Sequence, residues 1–125
     1  MRTTSVRPRF LNLVRISYPV GAIASIAHRV SGVLLVCTLP FAVLTLQRSL
    51  GDEADFIGLA STLHSPAGRV GLLVLAWACA HHLFAGIRHL LMDVGVGASL
   101  STSRSSAFAV VGAGIAIAAA VTVLA

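Results

Sequence analysis

Residues 30–47 read VSGVLLVCTLPFAVLTLQ, eighteen positions without a charge, bounded by Arg29 and Arg48. A run that long and apolar can cross a bilayer as a helix. The apolar pattern also reaches backward through YPVGAIASIAH, residues 18–28, so a helix is predicted over about 19–49. At 1.5 Å per residue it would be about 45 Å long, more than the hydrocarbon core, so its first turns lie at or below the interface. Pro40 inside it is a candidate kink. A second charge-free run of eighteen, VGLLVLAWACAHHLFAGI, lies between Arg69 and Arg88 and predicts a helix over 69–93. A third, rich in Ala, Val and Gly, predicts a helix over 106–125 whose small residues favour close packing. Between them, 50–68 reads as a polar connector holding Asp52, Glu53, Asp55 and His64, and 94–106 as a Gly/Ser-rich turn. The expected fold is an all-α membrane protein of three transmembrane helices, forming one membrane-anchor domain over 1–125.

Composition agrees. Of 125 residues 57% are hydrophobic and 10% charged, with a mean hydropathy of +0.93. A soluble domain carries about a quarter charged residues, so lipid must solvate this surface. The same apolar content excludes disorder. All nine basic residues are arginines, against four acids, for a net charge of +5. They stand as punctuation between apolar runs and form no continuous basic face, which argues against nucleic acid. Cys37 and Cys79 fall inside apolar runs with no CxxC or CxxCH spacing, and read as buried, inert thiols. The N-terminus lacks the pattern of a signal peptide. It carries Arg2, Arg7, Arg9 and Arg15, and the 94–106 turn carries Arg104, whereas the 50–68 connector is acidic. The positive-inside rule then predicts a cytoplasmic N-terminus and a periplasmic C-terminus, in a multi-pass protein of the inner membrane.

Ionisable groups inside membrane helices are costly and by default functional. The first helix holds Ser25, His28 and Arg29; the second holds His81, His82, Arg88, His89 and Asp93. An N-in topology brings both groups to the cytoplasmic half. His82 and His89, seven apart, return to nearly one face, with Ala78, Ala85 and Gly86 beside them. Histidines among small residues leave a flat slot. Haem needs such a slot, an imidazole for its iron and cations for its propionates. Spacing leaves His81 and His82 as rival ligands, and leaves helix packing as the alternative use of the small residues. Arg88 has two readings, propionate partner or snorkelling cation. Asp93 lies five residues from Arg88, a poor intrahelical pair, so it is expected to bond backbone or another subunit.

At these positions the chain resembles the cytochrome b556 membrane-anchor subunits of succinate dehydrogenase, respiratory complex II. The resemblance is carried by Arg7-Pro8, by SIAHRVSG at 25–32 and by HLFAGIRHLLMDVG at 82–95. Arg9 departs from the small or apolar residue usual there. The resemblance implies that His82 is an axial ligand of haem b and that the second axial histidine comes from a partner anchor subunit. It implies that Ser25 and Arg29 line the ubiquinone pocket beside the iron–sulfur subunit, and that His28 and Arg29 lie near the haem propionates. His89, Arg88, Asp93 and Ser31 take supporting roles, and His81 becomes packing or a contact with the second anchor.

The expected function is to anchor the flavoprotein and iron–sulfur subunits and to help reduce quinone. Succinate oxidation itself belongs elsewhere, since this chain has neither a nucleotide-binding glycine motif nor a cysteine set for a cluster. The resemblance also admits association of the four-subunit complex into trimers. The alternatives are a fumarate reductase anchor and a haem-free structural anchor. A transporter would call for an inverted repeat or a polar stripe across the whole bilayer, and the sequence has neither.

Overall fold

The computed structural model describes residues 18–124. Over that span the chain is helical: α1 (Val20–Ser49), α2 (Glu53–His64), α3 (Pro66–Asp93) and α4 (Leu100–Leu124). Helices α1, α3 and α4 are each long and apolar enough to cross a membrane, as predicted. α1 runs without interruption through Pro40. The tail arginines and Arg7-Pro8, on which the expected orientation partly rests, lie outside the described residues.

α2 corrects the reading of 50–68 as a mere connector. Its acids are start chemistry for a helix. The Asp52 side chain accepts a hydrogen bond from the Asp55 backbone N–H at 2.7 Å, and Glu53 and Asp55 occupy the first turn, where the helix dipole favours negative charge. Ser65 alone separates α2 from α3. Its Oγ accepts from Gly68 N–H at 3.1 Å, and Pro66 takes the first helical position, where its missing N–H costs nothing. α3 therefore starts before Arg69.

The other end of α3 closes with a Schellman motif: Val96 N–H donates to Leu91 O at 2.8 Å and Gly95 N–H to Met92 O at 3.0 Å. Gly95 has φ +84°, a left-handed conformation that a side chain would strain. The turn ends at Ser99, so the serines of the expected 94–106 loop belong to the first turns of α4. That correction matters for the site, because two of them accept hydrogen bonds from α3.

The interior of the bundle is small. Among the described residues the buried apolar ones are alanines and one valine: Ala24, Ala78, Ala80, Ala85, Ala107, Val110 and Ala118. Large apolar side chains such as Val36, Leu39, Phe41 and Leu100 face outward. This suits a solvent of lipid tails, where small residues let backbones approach and large ones gain nothing by turning inward. Cys37 and Cys79 also face outward, contrary to the buried reading. An apolar helix face needs no cover from its own chain when lipid covers it.

The α2–α3 corner supplies a test of the fold. A Cβ at Gly68 would strike the Thr62 carbonyl oxygen and come within 2.7 Å of Leu63 backbone atoms, whereas one at Gly71 would meet open space. Gly68→Ala is expected to lower thermal stability in detergent by about 1–3 kcal/mol, the usual cost of overpacking. Gly71→Ala should be near neutral in the same melting experiment.

Candidate functional site

α1 and α3 pack antiparallel, and their polar residues meet at one level. The His28 ring stacks on His82 with centroids 4.2 Å apart and planes 15° from parallel. It also tilts against His89, at 5.2 Å and 49°. Close approach of the helices is permitted by two glycines. A Cβ at Gly32 would fall 2.9 Å from His82 Cε1, and one at Gly86 would fall 3.4 Å from His28 Nε2. Beside this contact lies a groove of about 440 Å³, open on its outer side, lined by His28, Arg29, Gly32, Val33 and His82 among others.

Hydrogen bonds define the state of the His82 ring. Nδ1 lies 3.0 Å from the His28 carbonyl oxygen and 3.3 Å from Ser31 Oγ. A carbonyl oxygen only accepts, so Nδ1 must carry the proton. In a neutral imidazole Nε2 then keeps its lone pair. This is how metal-binding histidines are generally held: one nitrogen donates to a carbonyl and the other is left for the ion. The donor set therefore fits an iron ligand from this chain.

Structure also separates the two adjacent histidines that spacing left level. His81 is 1% exposed; its Nε2 donates to Ala24 O at 3.3 Å, and its ring stacks on Trp77 at 5.5 Å and 18°. Its Nδ1 has no partner among the described residues. Gly114 of α4 lies directly over it, where a Cβ would come within 3.2 Å of His81 Cβ. His81 is thus a packing residue of the bundle interior, as one of its two readings held, and its burial leaves no route to a neighbouring chain. His82, one residue on, is half-buried and borders the open groove.

The remaining predicted residues divide. Arg29 is exposed on the groove, and Ser25, half-buried, lies one turn before it on α1. Arg88 turns the other way: Nε donates to Ser106 Oγ at 3.0 Å, and one terminal nitrogen donates to Ser103 O and Ser103 Oγ, both at 2.9 Å. It is 7% exposed, so it joins α3 to α4 and does not snorkel. Asp93 is exposed at the end of α3. Ala78 and Ala85 are each 1% exposed and pack the helices together, and neither borders the groove beside His82. The open groove beside His82 is bordered by Gly32 instead. In the sequence Gly32 is only the last residue of SIAHRVSG; its spacing from Ser31 and His28 on one helix carries no hint of a partner ring on another.

The sequence matches the family described as succinate dehydrogenase/fumarate reductase transmembrane subunit over residues 3–122. It is 38% identical over 95 residues to the succinate dehydrogenase cytochrome b556 subunit of Coxiella burnetii, covering 75% of this chain and 76% of that one. The cytochrome b556 subunits of Paracoccus denitrificans and Rickettsia prowazekii are each 31% identical over 94 residues, covering 75% of this chain and 72% and 73% of theirs. These relatives are bacterial, and a transmembrane subunit of this kind belongs to the inner membrane.

Arg88 gives the test of this geometry. Removing its guanidinium takes three hydrogen bonds from the α3–α4 contact, and a hydrogen bond to a charged group contributes about 1.5–3 kcal/mol. Arg88→Leu is expected to lower the melting temperature in detergent clearly, and Arg104→Leu, on the exposed face of α4, to leave it nearly unchanged. Equal effects would remove the special role assigned to the α3–α4 contact.

Proposed function

The chain belongs to the succinate dehydrogenase/fumarate reductase transmembrane subunit family, and we propose from that premise that it is the haem-binding, quinone-site anchor of a succinate:quinone oxidoreductase. The observation that carries this reading is His82. Its Nδ1 is fixed on the His28 carbonyl, its Nε2 has no hydrogen-bond partner among the described residues, and its ring borders an open groove. In this reading His82 would hold the iron of haem b from this chain, and a second membrane anchor would supply the other imidazole. Bound haem b supplies one-electron redox chemistry at its iron, tuned by its ligands and their hydrogen bonds.

The surrounding residues of this chain have separate tasks. His28, Arg29 and His89 present donors and charge for the propionates. Arg88 supports them from the other side, since its bonds to Ser103 and Ser106 steady the part of α3 that carries His89. Asp93 takes a supporting place at the end of α3, available to a neighbouring subunit. Ser25 donates a hydrogen bond to a quinone carbonyl, and Arg29, four residues on, stabilises the negative charge that develops on that oxygen during reduction. A cation fixed in a low-dielectric site acts more strongly than it would in water. The iron–sulfur subunit closes the pocket and delivers electrons from a flavoprotein where succinate is oxidised. The N-terminus is cytoplasmic and the C-terminus periplasmic, with 1–125 acting as one anchor domain. Succinate oxidation with ubiquinone as acceptor is the direction favoured by relatives named for succinate dehydrogenase.

Three variants of the intact complex test this. His82→Leu is expected to abolish or strongly perturb the b-type absorption band; an unchanged band would refute the ligand assignment. Gly32→Ala, whose Cβ would press on the His82 ring, is expected to lower haem content measured as pyridine haemochrome. Ser25→Ala and Arg29→Leu are each expected to reduce quinone reductase activity at least tenfold, the scale of losing one charge-stabilising donor, which costs about 10²–10³ where such donors are best placed. Succinate oxidation with an artificial acceptor should persist. A parallel fall in both activities would mean failed assembly and would remove the quinone-site assignment.

A further inference from the structure

Ser31 is 0% exposed, one of the two largest side chains fully enclosed by the bundle. Its Oγ donates to the His28 carbonyl at 2.8 Å, three residues back on α1. The same oxygen lies 3.3 Å from His82 Nδ1 on α3. The hydroxyl has a single proton, and the shorter contact takes it. Its lone pairs therefore face the Nδ1–H, which lies between two acceptors, the His28 oxygen at 3.0 Å and Ser31 Oγ. A serine that merely satisfied itself within its helix, as Thr38 does on the Leu34 carbonyl, would make no such second contact.

We infer that Ser31 is a positioning residue for His82: with the His28 carbonyl it holds the ring in one orientation and in the Nδ1–H tautomer, so that Nε2 is presented to the groove with raised basicity. This rests on the haem reading given above. Acceptors on the far nitrogen orient a ligating histidine and increase its donor strength, and losing such a partner typically weakens metal binding about 10–100-fold. Because Ser31 is enclosed, no water can replace its hydroxyl. A more basic imidazole favours the oxidised iron, so loss of the hydroxyl should favour the reduced form.

The test is Ser31→Ala in the purified complex, with Thr38→Ala as the control for removing a hydroxyl from α1. Haem content, midpoint potential by redox titration and the rate of haem transfer to apomyoglobin are measured in each. The expected result for Ser31→Ala is a complex that assembles with haem, a midpoint potential shifted upward and haem transfer faster by about tenfold or more. Thr38→Ala should match the unmodified complex. Ser31→Thr, which keeps a hydroxyl able to bond the preceding turn, should restore the potential toward its original value. An unchanged potential and transfer rate in Ser31→Ala, or an equal shift in Thr38→Ala, would overturn the inference. Poor assembly with unaltered haem properties would reduce Ser31 to packing and overturn it as well. If His82→Leu keeps its b-type band, the ligand assignment on which this inference rests has failed; if that band is lost while Ser31→Ala is normal, only the role of Ser31 has failed.

Discussion

In a bilayer every polar group must find its partner within the protein, and in this chain the pairing of the His82 ring with the His28 carbonyl meets that demand at the point where two helices cross. The contact is 3.0 Å long and joins residues 54 positions apart in sequence. It requires close approach of α1 and α3, which Gly32 and Gly86 permit, and it requires Ser31 to be enclosed rather than lipid-facing. It also fixes which ring nitrogen keeps a lone pair. One interaction therefore links helix packing to a chemical capability. The small-residue interior follows from the same constraint, since large side chains at Ala24, Ala78 or Ala85 would hold the helices too far apart for the bond to form.

Arg88 and His81 show the constraint acting on the other flank. A guanidinium buried between α3 and α4 is tolerable because three hydrogen bonds to Ser103 and Ser106 receive it. Among the described residues His81 is satisfied at one nitrogen only, and its ring gains from Trp77 and from the space over Gly114. α3 thus carries two polar stripes. One, containing His81 and Arg88, builds the bundle. The other, containing His82 and His89, is turned toward α1 and the open groove. Residues that look alike by type and depth do different work because they lie on different arcs of one helix.

Much of this was legible in the sequence, for physical reasons that can be named. Charge-free runs ended by arginines define membrane helices well, and α1 matches its predicted extent almost to the residue. The meeting of His28 with His82 and His89 followed from antiparallel crossing and the seven-residue return of a helix. α2 escapes a reading of the sequence because Asp52, Glu53 and Asp55 signal a polar connector as readily as the start of a helix. The start of α4 was missed because a serine-rich segment resembles a loop until an arginine from another helix is seen to need its hydroxyls. The choice between His81 and His82 depends on what α1 and α4 place beside each ring, and spacing along α3 contains no information about that. The misplaced slot at Ala78 and Ala85 has the same origin.

In the proposed function the side chain at position 82 is the ligand that this chain offers to iron. The most direct measurement is the optical spectrum of the complex carrying His82→Gly, recorded before and after addition of imidazole, beside that of His81→Gly. The b-type band should be absent from the first, return with imidazole in the space left by the missing ring, and survive in the second. A band that persists in His82→Gly, or that is lost in His81→Gly and returns there with imidazole, would contradict it.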